Sequence, residues 1–247
     1  MDYQNYSRET KISLPYTGEQ TTVKNFMANV FSYMFLALGV SALMAYLFSS
    51  NPILLSYLIN ETHTGLNMLG YVVMFAPLGF VLLMSFGYAR LSAPVLMLLF
   101  IVYAAITGIS FSFIFLAYTS GSILACFLSA SVMFGVMAVM GYTTQKDLTS
   151  FGRIMMMGLI GIIIASLVNL FLKNGTMDYI ISFIGVMVFT GLTAYDVQKL
   201  KRIGEGIESE GTPAVEVKKR SIMGALSLYL DFINLFLMLL RLFGRRN

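Results

Sequence analysis

Seven apolar runs dominate the chain, at residues 26–48, 68–88, 95–117, 122–142, 154–172, 179–197 and 222–243. A hydrocarbon core about 30 Å thick is crossed by about 20 helical residues rising about 1.5 Å each, so every run can span a bilayer. Inside lipid each backbone N–H and C=O must be bonded within the protein, which leaves only helices or a closed barrel. Continuous runs of this length read as helices. The expected fold is an all-α integral membrane protein, a seven-transmembrane-helix bundle. Composition agrees: 57% of the 247 residues are hydrophobic and 11% charged, against roughly 25% charged in soluble domains. Residues 1–25 are polar and interrupted by Pro15 and Gly18. They are expected to form a mobile cytoplasmic arm ahead of a transmembrane domain over 26–247. They lack the short apolar run and cleavage site of a signal peptide.

Loop charge sets the expected orientation. Arg8, Lys11 and Lys24 precede the first run, Arg90 follows the second, and Lys146 and Arg153 flank the turn after the fourth. Lys199, Lys201, Arg202, Lys218, Lys219 and Arg220 lie between the sixth and seventh. The opposite loops hold Lys173 alone, so the N-terminus is expected in the cytoplasm, in a multi-pass protein of the cell (inner) membrane. The tail, with Arg241, Arg245 and Arg246, breaks this pattern. Hydropathy favours a full last span and charge favours a re-entrant one; the expectation leans to the span.

The last run is the most informative. Asp231 is its tenth residue, near mid-membrane depth, where insertion of a carboxylate costs at least about 2.5 kcal/mol. It should therefore face protein or trapped water. Ser227, Asp231 and Asn234 are spaced i, i+4, i+7 and share one helical face. This helix is expected to be an axis with its polar stripe inward and the other helices wrapped around it. A second membrane-depth acid, Asp196, ends the sixth run. If the two approach each other they form a carboxylate pair that shares a proton and titrates as one unit, a pH sensor inside a membrane. Alternatively Asp196 is an interfacial anchor and Asp231 bonds a neighbouring helix.

Ala104, Gly108 and Ser112 recur at four-residue spacing, as do Gly161, Ala165 and Asn169. Rows of small residues let membrane helices approach closely, and Asn169, as a membrane-depth amide, needs a partner across the bundle. Pro77 and Gly79 suggest a kink that frees carbonyls in the second helix. One Cys and one His exclude an internal disulfide, a thiolate cluster and a histidine metal site. The signatures of nucleotide, metalloprotease and serine-hydrolase chemistry are missing, so the chain is not expected to be an enzyme or to bind nucleic acid or a cofactor.

Gly-Leu-Thr-Ala-Tyr-Asp-Val-Gln-Lys-Leu-Lys at 191–201 and Leu-Tyr-Leu-Asp-Phe-Ile-Asn-Leu-Phe at 228–236 resemble signature segments of the Bax inhibitor-1 family, the transmembrane Bax inhibitor motif proteins. Gly-Tyr-Thr-Thr-Gln-Lys-Asp-Leu at 141–148 and Thr-Gly-Ile-Ser at 107–110 fit its bacterial branch. The resemblance covers the chain beyond the arm. It implies seven helices with the last surrounded by the other six, and a pH-sensitive calcium leak channel. It further implies a gate at Asp196 and Asp231, which would also contact the calcium ion, and a latch from Arg90 to Asp196 in the closed state. Ser227, Asn234 and Asn169 are candidate polar lining. Some bacterial members carry an acid in the second helix about three turns before that arginine. Here the stretch reads Ala76-Pro77-Leu78-Gly79, without a carboxylate. The competing expectation is a non-conducting membrane regulator that binds another membrane protein, such as a quality-control protease or stress factor, by analogy with the death-suppressing eukaryotic members.

Overall fold

The computed structural model describes residues 17–60 and 65–247. In chain order its helices are α1 (Thr17–Ser50), α2 (Pro52–Ser56), α3 (Met68–Gly87), α4 (Ala93–Ala117), α5 (Ser120–Thr143), α6 (Thr149–Leu172), α7 (Gly175–Ser209) and α8 (Ala214–Phe243). All but the short α2 are long and apolar enough to cross a membrane. Local signals fix the ends. Side chains of Asn67 and Thr119 accept the N–H groups of Gly70 and Ser122 at the starts of α3 and α5. Lys173 adopts the left-handed conformation (φ 50°) that ends α6, and Gly211 (φ 57°) turns the chain between α7 and α8.

Most of the expected arm, residues 1–16, lies outside the described residues, as do Glu61 and His63. α1 begins at Thr17, earlier than the apolar run suggests. Val23, Phe26, Met27 and Val30 are buried at helical spacing while Lys24 and Asn25 face outward. An amphipathic first turn thus extends the helix beyond its apolar run.

α8 is the most buried of the spans, and α6 and α3 are the least. It packs on α1, α4, α5 and α7. The last helix is therefore central, but it is not wrapped by all six others. α3 packs mainly on α4 and α6 mainly on α7, as outer helices. The small row of α4 makes the expected close approach, since a Cβ on Gly108 would strike the backbone of Ser41 in α1. Ser41 Oγ donates to the Ala104 carbonyl at 2.7 Å, so the 2.7 Å bond to Tyr229 must have the phenol as donor. Those contacts tie α1, α4 and α8 together. The row on α6 does not serve this purpose: a Cβ on Gly161 would meet open space. Asn169 bonds locally, accepting the Asn174 N–H at 3.0 Å in the α6–α7 turn, and no partner across the bundle is involved.

α8 runs unbroken for 30 residues, about 45 Å at 1.5 Å per residue, which is long enough for a full span. Its tail folds onto the α4–α5 turn, where Thr119 N–H donates to the Arg245 carbonyl at 3.0 Å and Asn247 N–H to the Ala117 carbonyl at 3.1 Å. Two of its three arginine side chains are partnered. Arg241 lies 3.7 Å from Asp178 at the start of α7, and the Arg246 guanidinium stands 5.9 Å from the Tyr118 ring centre.

Candidate functional site

A cavity of about 310 Å³ at the basic end of α7 is lined by Lys199, Arg202, Glu210 and Arg220 among uncharged residues. A larger one, about 470 Å³, lies within the spans and gathers the membrane-depth acids. Its walls are Pro77, Leu78 and Val81 of α3, Tyr103 of α4, Met156, Leu159 and Ile163 of α6, and Phe189 and Leu192 of α7. Its polar surface comes from Asp196 of α7 and Ser227, Asp231 and Asn234 of α8. The i, i+4, i+7 stripe therefore does face a shared internal space, and Asp196 meets it there.

The details differ from a simple carboxylate dyad. Ser227 Oγ donates to Asp196 Oδ2 at 2.5 Å. Asp231 sits one helical turn further along α8, is 6% exposed, and its Oδ2 is buried without a hydrogen-bond partner. No hydrogen bond joins the two acids among the described residues, so they share a cavity and not a proton bridge. Asn234 Nδ2 donates back to the Leu230 carbonyl at 2.8 Å, which leaves its amide oxygen side free for the cavity. Asn169 does not line it. Among the described residues no three His, Cys, Asp or Glu side chains gather as a resident metal site.

Arg90 is exposed at the α3–α4 turn and forms no ion pair among the described residues, so the expected latch to Asp196 is not made. Two residues earlier, Tyr88 holds that end of α3 instead. Its hydroxyl donates to Glu216 at the start of α8, and the Lys219 ammonium lies 4.6 Å from its ring centre. Burial, then Glu216, pushes the Tyr88 phenol up to about 12. Arg220 and Lys219 in turn pair with Glu216 at 3.8 and 3.7 Å. A tyrosine beside an arginine at a helix end reads as an ordinary interfacial anchor, so the sequence offers no signal for this clasp.

A second set of contacts escapes sequence reading. Gln198 accepts the Leu148 N–H and donates to the Lys146 carbonyl, both at 2.8 Å, stitching α7 to the α5–α6 turn. Arg202 joins Asp147 at 2.8 Å. Asp147 is held down to about 2, first by the Thr149 hydroxyl and N–H and then by Arg202. Pro77 leaves the Val73 carbonyl without its helical donor, and Ser110 Oγ of α4 fills the gap at 2.7 Å. The freed carbonyl is thereby occupied and is not offered to the cavity.

The family described as "Inhibitor of apoptosis-promoting Bax1" matches residues 23–247. The chain belongs to the Bax inhibitor-1 family. Among its relatives, inner membrane protein YbhL of Escherichia coli is 43% identical over 242 residues, covering 98% of this chain and 99% of that protein. An uncharacterized protein of Rickettsia prowazekii is 44% identical over 230 residues, 91% of each chain. An uncharacterized membrane protein of Streptococcus pyogenes is 37% identical over 236 residues, 94% of this chain and 97% of its own. The segments carrying Asp196, Ser227 and Asp231 all fall within the family match, as does every helix of the Bax inhibitor-1 bundle from Val23 onward.

Proposed function

We propose that this membrane protein is a pH-sensitive cation leak channel, with calcium as the transported ion and Asp196 and Asp231 as its gate. The observation that carries the reading is the unpartnered carboxylate oxygen of Asp231, buried beside a cavity that also holds Asp196. A buried charge with no counter-charge favours whatever neutralises it, a proton or a passing cation. Two acids facing one space compete for the same few cations and protons, so acidity and ion occupancy are coupled there.

Calcium prefers 6–8 oxygen ligands, whereas this cavity offers two carboxylates, a hydroxyl and an amide. So sparse a set supports brief passage with retained water, not tight storage, which suits a leak. The inward basic loops support a cytoplasmic N-terminus, and the similarity to YbhL supports placement in an inner membrane. The test is calcium flux through the purified protein in liposomes at two pH values. Flux that rises or falls with pH in wild type and loses that response in Asp231→Asn is the expected result. A protein that folds and never conducts would instead favour a non-conducting regulator, a partner-binding role suited by the charged segment from Lys199 to Arg220.

A further inference from the structure

The cavity around Asp231 is walled on its outer side by two helices that rest on different neighbours: α3 on α4, and α6 on α7. The residues at that gap face outward, with Leu78 64%, Ile163 52% and Met156 46% exposed. Leu78 and Ile163 fall in the middle stretches of their spans, so the gap opens at the depth of lipid tails. The walls behind this mouth are apolar, from Val81, Leu159, Phe189 and Leu192. At the far end stand the two carboxylates, and no cationic side chain lines the cavity to balance them. Water and ions are scarce at such a mouth, whereas chains already dissolved in the bilayer are abundant.

We propose that this cavity is entered sideways from the bilayer and binds an amphiphilic cation, an alkylammonium whose tail lies between α3 and α6 and whose head meets Asp231. Charge complementarity selects the head. The Asp231 Oδ2, buried and without a donor, accepts an ammonium N–H, and desolvation in an apolar chamber strengthens that bond. The apolar walls and outward-facing rim select the tail. A neutral alcohol of the same length buries the same hydrocarbon but leaves the carboxylate uncompensated. The site shares its carboxylates with the channel reading but does not depend on ion flow, so the two can fail separately.

The test is binding of radiolabelled dodecylammonium to the full chain in phosphatidylcholine nanodiscs, with unlabelled dodecylammonium or dodecanol as competitor. Saturable binding displaced by the amine and not by the alcohol is expected. Asp231→Asn should weaken it by about tenfold or more, the scale of losing one buried charge pair. Ile163→Trp, which fills the mouth from its lipid side, should weaken it comparably. Leu167→Trp, on the lipid-facing surface of α6 outside the cavity, should not. Should Asp231→Asn fail to fold, the two tryptophan variants decide the matter. The inference is overturned by no saturable amine binding, by equal displacement with dodecanol, or by an Ile163→Trp protein that binds like wild type. Calcium flux measured on the same proteins separates the readings: flux without an amine site removes this inference alone, and an amine site without flux removes the channel alone.

Discussion

The polar neighbours of Asp231 in α8 place their hydrogen bonds elsewhere. Tyr229 on the other side of the helix is engaged with Ser41, Ser227 with Asp196, and Asn234 Nδ2 with its own backbone. An unpaired buried carboxylate is destabilising, and Asp231→Asn keeps the shape while removing the charge. The variant should therefore melt no lower than wild type in a thermal unfolding assay. In liposomes its flux should no longer respond to pH if Asp231 is the group that exchanges the proton, as proposed. Asp196→Asn should act in the same direction, and the double variant should add little, since both acids serve one cavity. A pH response surviving in the double variant places the sensor elsewhere. Arg90→Ala should leave basal flux unchanged, since Arg90 touches neither acid. The i, i+4, i+7 stripe was legible because helical period alone puts Ser227, Asp231 and Asn234 on one face. The serine bond to Asp196 was not, because it depends on how far α7 is displaced along α8. Whether Arg90 meets Asp196 was not legible for the same reason: their separation depends on how several helices pack, which no spacing along one helix encodes.

At the scale of the elements, α3 is the weakest attachment. It carries an internal proline, packs mainly on α4, and is fastened at one end by Tyr88. Two bonds hold it to the bundle, and each gives a prediction. Ser110→Ala leaves the Val73 carbonyl without any donor, a loss of about 1–3 kcal/mol for a group shut off from water. Its melting temperature should fall, and Ser110→Thr, which keeps the hydroxyl, should restore most of it. If Ser110→Ala is as stable as wild type, the carbonyl finds water. The Tyr88 clasp has a defined pH window. Its folded value, about 12, lies above the ordinary 10, so the folded state favours the protonated phenol. That contribution is complete below about 10 and is lost as pH rises through about 12. An ultraviolet difference titration of wild type against Tyr88→Phe should show one tyrosine ionising late; a normal titration for that residue removes the clasp. Close packing was partly legible. Four-residue spacing identified Gly108, whose neighbour is backbone, but the same spacing on α6 faces open space at Gly161. Spacing reports a smooth helix face and leaves open what lies against it. The approach that matters between α5 and α7 is at Gly141, where a Cβ would strike the Ala194 carbonyl. Gly141→Ala should then cost about 1–3 kcal/mol through forced backbone movement.

At the scale of the whole molecule, seven spans and a buried last helix were legible because length and hydropathy suffice to find them. The partial wrapping was not, since an outer and an inner helix can be equally apolar in a membrane: lipid and protein interior are alike to a leucine. Nor was the fate of the basic tail, where hydropathy and the charge rule disagree. The fold resolves that disagreement by local neutralisation. Arg241 faces Asp178, Arg246 stands over Tyr118, and the tail backbone pairs with residues 117–119. A charge so satisfied weighs less in setting orientation than the larger basic set, Lys199 to Arg220, that flanks the α7–α8 turn. The consequence is a definite arrangement. A reporter after Asn247 should lie on the same side as one after Asn60, and opposite to one after Ser209. With the N-terminus cytoplasmic, the first two are extracytoplasmic. A re-entrant last helix would put Asn247 with Ser209, and that single result overturns both the full span and the tail docking. Asp178→Asn supplies the second arm. It removes the acid facing Arg241 without touching the spans, and exposed pairs of this kind contribute at most about 1 kcal/mol. The protein should therefore stay folded with the Asn247 reporter on its original side, because 30 continuous helical residues, not the ion pair, hold the tail across the membrane. If the reporter moves, the tail's position depends on charge after all, and the last span is marginal.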